Sequence, residues 1–155
     1  MHIYLVKSII ITGLFISGII PAEKEPIDGF WETNYQSALT KAKKENKVIM
    51  LYFAGTDWCK PCIILKKEVF DTEKFHQYAK DKIIPVKLDF PRLKKNQLPK
   101  EQVKQNEALA KRFNHEGAFP LVVYLSKQEK VIEKSGYRAG GVDEYLKYLS
   151  QVLDK

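Results

Sequence analysis

Six consecutive apolar residues, VIMLYF at positions 48–53, constrain this chain more than any other feature. A run of strand length without polar alternation predicts a central strand covered on both faces. The stretch that follows, GTDWCKPCIILKKEVF at 55–70, carries the only two cysteines, Cys59 and Cys62. Beyond them Ile63, Leu65, Val69 and Phe70 fall among Lys66, Lys67 and Glu68, which is a helical pattern. The cysteines are therefore expected at a strand-to-helix junction.

That placement favours redox chemistry. A structural disulfide stabilises by closing a long loop, and a two-residue gap closes almost nothing. A structural zinc site needs four ligands, but there is no second C-x-x-C, and His76 and His115 lie far apart in the chain. A thiol at a helix start, by contrast, meets unpaired backbone N–H groups and the positive end of the helix dipole, which favour the thiolate. Cys59, nearer that end, is the expected attacking sulfur, and Cys62, one turn later, can resolve the mixed disulfide. Pro61 suits an early helical position where no N–H bond is required, and Lys60 adds positive charge beside the thiolate. The structural disulfide and the metal site remain the alternatives at this point.

The rest of the chain reads as alternating elements. Residues 29–31 are a candidate short strand. Thr33 and Gln36 form a T-x-x-Q capping box before a helix whose buried stripe is Tyr35, Ala38, Leu39 and Ala42, ending near Asn46. Asp71 is expected to cap a short helix presenting Phe75, Tyr78 and Ala79. Residues 83–89 then read as a strand, in which Pro85 points to an edge or a strand start. A polar connection, FPRLKKNQLPK at 90–100, leads into a helix reaching about Asn114. Two strands at 121–125 and 131–135 flank the polar turn SKQEK, and Val142, Tyr145, Leu146, Leu149, Val152 and Leu153 form the stripe of a last helix. This order implies one α/β domain with a mixed sheet, over residues 23–155.

Residues 1–22 differ in kind. Lys7 is their only charged side chain and 8–20 are nearly all apolar, the pattern of a secretory leader with Ala22 as the last residue removed. The run is short of the roughly 20 apolar residues that a spanning helix needs. Export, to the periplasm, is the expectation, with a retained membrane tether through 1–22 as its alternative. Lys and Arg exceed Asp and Glu by 26 to 19, but the cations are spread over nearly every polar segment with no interleaved aromatic signature. This predicts a solvated basic surface and no nucleic-acid partner.

DWCKPC after an apolar strand, HEGAFPLVVYL some 55 residues later, a following hairpin and a C-terminal helix together resemble the thioredoxin superfamily. WETNYQSALTKAKKENKVIMLYFAGTDWCKPC and KLDFPRLKKNQ resemble its exported bacterial members, and the resemblance covers 31–153. It implies a thioredoxin-like fold, a central mixed β-sheet flanked by helices. It also implies a cis Pro120 facing the redox pair, with Phe119 before it, and an apolar rim made by Trp58, Ala118 and the Gly136–Tyr137 turn. Family members often place a buried acid in the strand before the motif to assist proton transfer from the second cysteine. Here that place falls on Phe53 or Leu51, which do not ionise. The implied activity is thiol-disulfide exchange with protein disulfides or dithiols and a redox partner that the sequence does not name. No cofactor is needed, and reduction is preferred over oxidation because the motif keeps the thioredoxin-like proline. A peptide-binding module on the same scaffold and a thiol-dependent carrier of a soft metal ion are the alternative functions.

Overall fold

The structure, a computed structural model, describes residues 29–153, so the reading of 1–22 as a leader or tether lies outside the described residues. In chain order the elements are α1 (Tyr35–Glu45), β1 (Val48–Ala54), α2 (Lys60–Leu65), α3 (Glu73–Lys82), β2 (Ile83–Asp89), α4 (Lys100–Phe113), β3 (Leu121–Leu125), β4 (Val131–Ser135) and α5 (Gly141–Leu153). The sheet order is β2-β1-β3-β4. β1 pairs parallel with β2 and antiparallel with β3, and β3 pairs antiparallel with β4. The mixed sheet is thus the expected one, and the apolar run of β1 is an interior strand.

Strand alternation divides the core into two layers. Met50, Tyr52 and Ala54 point to the layer that holds the cysteines, Leu65, Phe70, Phe75, Tyr145 and Leu149. Ile49, Leu51 and Phe53 point to the other, against Tyr35, Ala38, Leu39 and Ala42 of α1 and Leu109 and Phe113 of α4. All four expected stripe residues of α1 are buried, and α1 closes on Asn46 in the left-handed conformation, φ 56°.

Several local expectations are corrected. The cap of α1 is Asn34, which accepts from Ser37 N–H, in place of the Thr33 box. The cap of α3 is Thr72, accepting from Phe75 N–H, because Asp71 is held by Lys66 at 2.6 Å. α2 runs into a π-helical turn, Lys66–Phe70. Its i→i+5 spacing brings Phe70 onto the stripe of Leu65, while Ile63 is 48% exposed. Residues 29–31 form no strand; one parallel bridge joins Glu32 to Val86. Through it Glu32 N–H donates to Pro85 O at 2.8 Å and Lys87 N–H donates to Glu32 O at 3.0 Å. A strand residue's N–H and C=O point the same way, so the donor that Pro85 lacks lies on the outer side of β2. The β1 ladder loses nothing there.

Candidate active site

The redox pair follows β1 across a single tight turn. Cys59 and Cys62 are joined by a disulfide with Cα atoms 5.3 Å apart. Cys59 is the N-cap of α2, and its sulfur accepts from Cys62 N–H at 3.3 Å. Lys60 and Pro61 are the first two helical residues, both exposed, and both sulfur-bearing residues are nearly covered, at 4% and 1%. The sulfur of Cys59 therefore stands where the unpaired N–H groups of a helix start converge, the environment that stabilises a thiolate once the bond is reduced.

Gly55 makes the approach possible. A Cβ there would lie 2.2 Å from Cε2 of Trp58, so only glycine lets the indole fold back over the turn. Trp58 Nε1 donates to Phe90 O at 2.8 Å, and its ring meets Phe119 edge-on with centroids 5.3 Å apart. Phe119 precedes Pro120 through a cis peptide bond. Trp58, Cys59, Cys62 and Phe119 thus join one packed cluster. The loop before Phe119 is fixed by Asn114, whose amide exchanges two hydrogen bonds with Ala118, at 2.9 and 2.8 Å. Tyr137, in the turn after β4, is exposed and donates to Glu68 at 3.2 Å.

Leu51 and Phe53 face away from the cysteines; of the β1 residues in the layer of the redox pair, Met50, Tyr52 and Ala54, the polar one is Tyr52. Its hydroxyl donates to Cys62 O at 2.8 Å, and burial pushes the phenol's pKa far above its ordinary value, helped by the negative charge of Asp89. Tyr52 is a fixed donor and does not take protons. A cavity of about 270 Å³ adjoins Cys62, lined by Tyr52, Thr56, Ile63, Lys66 and Lys87. Lys66 is bound to Asp71. Lys87 is less neutralised: its carboxylate neighbour Asp89 is 3.7 Å away and is engaged by Thr56 N–H at 3.0 Å and Thr56 Oγ1 at 2.6 Å.

On the other side of Trp58, Asp57 organises the 90–96 loop. Its carboxylate accepts from Arg92 N–H, Leu93 N–H and Asn96 Nδ2, each at 3.0 Å. These bonds, the Arg92 amide first, lower the carboxyl pKa below its ordinary value. The Arg92 guanidinium stacks over the Trp58 ring, 3.8 Å from its centroid. Sequence reading missed Tyr52, Asp57, Lys87, Arg92 and Asn114 as parts of this site. Only strand parity could have selected Tyr52, and the Asp57 contacts span some 35 residues of chain with no local signal. Among the described residues no group of three or more His, Cys, Asp or Glu side chains is placed to hold a metal ion.

The chain resembles several known proteins. A family model described as thioredoxin-like matches residues 30–127. The disulfide bond reductase DsbH of Chlamydia pneumoniae is 32% identical over 123 residues, 79% of this chain and 72% of that protein. A solved structure of a DsbH oxidoreductase superposes with a TM-score of 0.74 at 30% identity, covering 80% of this chain and 83% of the other. A thioredoxin from Thermus thermophilus, at 19% identity and a TM-score of 0.58 over 76% of this chain and 82% of its own, shares the fold. With the family model matching residues 30–127 and a relative 32% identical over 79% of this chain and 72% of its own length, the chain belongs to the thioredoxin-like family.

Proposed function

We propose that this chain is a thiol-disulfide oxidoreductase that reduces disulfides in other proteins, with Cys59 as the attacking and Cys62 as the resolving sulfur. The observation that carries the reading is the disulfide at the N-cap of α2. It is supported by the 32% identity to a protein named as a disulfide bond reductase. In the reduced protein the Cys59 thiolate attacks one sulfur of the substrate disulfide. A Cys59–substrate bond forms, the substrate bond breaks, and the departing thiolate takes a proton. Cys62 then gives up its proton and attacks the Cys59 sulfur, releasing the second substrate thiol. Two electrons and two protons pass to the substrate, and a dithiol donor restores the pair.

Two features serve the two steps. Cys62 N–H and the helix start stabilise the Cys59 thiolate that attacks in the first. The Lys87 ammonium, in the cavity beside Cys62, favours the anion formed as Cys62 deprotonates. Trp58, Phe119 and the cis Pro120 form the apolar side of the substrate groove, with Lys60 and Pro61 at its edge. Work in the periplasm, after export through residues 1–22, fits this chemistry because disulfides form there. Among the described residues no helix is long and apolar enough to cross a membrane.

Reduction of an insulin disulfide by the full chain, with dithiothreitol as donor, tests the assignment. Cys59→Ser should abolish turnover, and Cys62→Ser should accumulate a mixed disulfide visible by mass spectrometry. Full activity in Cys59→Ser would sink the reading.

A further inference from the structure

The loop at 90–96 is built onto the redox site, and its charge is one-sided. Residues 90–100 contain Arg92, Lys94, Lys95 and Lys100 and no Asp or Glu. The neighbouring acid, Asp57, is spent: its carboxylate is filled by three donors from the loop itself. Gln97 Nε2 donates to Pro91 O at 3.2 Å, and Phe90 N–H donates to Ala54 O at 2.8 Å, so the loop is tied at both ends and the middle. The backbone that carries Arg92, Leu93, Lys94 and Lys95 is therefore held in place, with Arg92 against Trp58.

Arg92 is the centre of this surface. Its guanidinium lies over the face of Trp58, the residue preceding Cys59. Stacking uses the face of the guanidinium and leaves its in-plane N–H fork available for a carboxylate. Among the described residues Lys60, Arg92, Lys94 and Lys95 are exposed, and no carboxylate is paired with any of them. Leu93, 48% exposed, adds an apolar contact to the same rim.

We propose that the 90–96 loop and Lys60 form a docking surface for acidic segments flanking the substrate disulfide, with Arg92 receiving a carboxylate beside the reacting sulfurs. This rests on the oxidoreductase reading and deepens it by naming a substrate class. The Trp58–Phe119 contact supplies the apolar side of the groove, and the cations select what lies next to the disulfide.

The test uses two disulfide-bridged peptides that differ only in their flanking residues, Asp and Glu in one, Asn and Gln in the other. Second-order rate constants for single-turnover reduction by the pre-reduced full chain are each divided by the rate constant with dithiothreitol, which removes intrinsic differences in reactivity. The normalised acidic-to-neutral ratio should be about ten at low ionic strength and should collapse towards one at about 0.5 M salt. Arg92→Glu should bring the ratio to one or below, Arg92→Lys should keep part of it, and Lys94→Glu with Lys95→Glu should lower it further. A ratio of one in the unaltered chain would overturn the docking surface and leave the oxidoreductase reading standing. A ratio that survives Arg92→Glu would overturn the assignment to this loop. Binding of the chain to anionic lipid vesicles without any preference between the peptides would overturn the acidic-peptide class. No reduction of either peptide would overturn both readings.

Discussion

A methyl group at position 55 would sit 2.2 Å from Trp58 Cε2 and 2.4 Å from its Nε1, so Gly55→Ala must push the indole out of its seat. That breaks the bond to Phe90 O and the contacts with Phe119 and Arg92 together. A loss of about 1–3 kcal/mol is expected, the usual cost of overpacking, read as a lower urea midpoint. Substrate reduction should slow in parallel. Lys87 makes a different kind of contribution. Lys87→Met should leave the midpoint nearly unchanged but slow the resolving step by roughly tenfold, the scale of one lost charge–charge contact in a partly solvated cavity. Quenched-flow measurement of mixed-disulfide decay checks this, and unchanged decay would remove Lys87 from the reaction. The cysteine pair was legible because its spacing and its place after β1 are both written locally. Tyr52 was not, because its role depends on which face of β1 the cysteines cover. A shift of one residue reverses that face.

At the scale of elements, the expected order and positions of strands and helices agree with the structure best where turn residues punctuate apolar runs. β3 and β4 lie where the two runs around SKQEK place them. Caps were less legible, since neighbouring polar residues compete for the same N–H groups. Asn34 displaces Thr33, and Thr72 caps α3 because Asp71 binds Lys66. Thr72→Ala should cost about 1 kcal/mol, whereas Asp71→Ala should act through Lys66 and leave the α3 start intact. Amide exchange at Phe75 distinguishes the two. The 90–96 loop carries a pH signature. The lowered pKa of Asp57 means that its bonds stabilise the folded loop fully above the ordinary Asp range, about 3.9. They are lost as pH falls through the lower folded value. Exchange at the Arg92 and Leu93 amides should rise across that acid window, and Asp57→Asn should flatten the response.

For the molecule as a whole, both sheet faces are covered, as the unbroken apolar run of β1 required. Within the layer that holds the cysteines, a bond of 2.8 Å between the hydroxyls of Tyr124 and Tyr145 joins β3 to α5 in full burial. Tyr145→Phe strands the Tyr124 hydroxyl and should cost about 1–3 kcal/mol, while the double change to Phe should cost less than the single one. Denaturant titrations at constant slope test this non-additivity. The other whole-molecule feature is the outer rim of β2. With Pro85 presenting no N–H outward and the Glu32 bridge using its carbonyl and the Lys87 N–H, a strand from a second copy finds no ladder to extend on that side. At the far rim, β4 sets Glu133 and Lys134 beside the exposed Val131 and Ile132. Both margins of the sheet are thereby guarded against strand-to-strand association. A thiol-disulfide oxidoreductase built this way can hold another chain by its cysteines without recruiting it into a shared sheet.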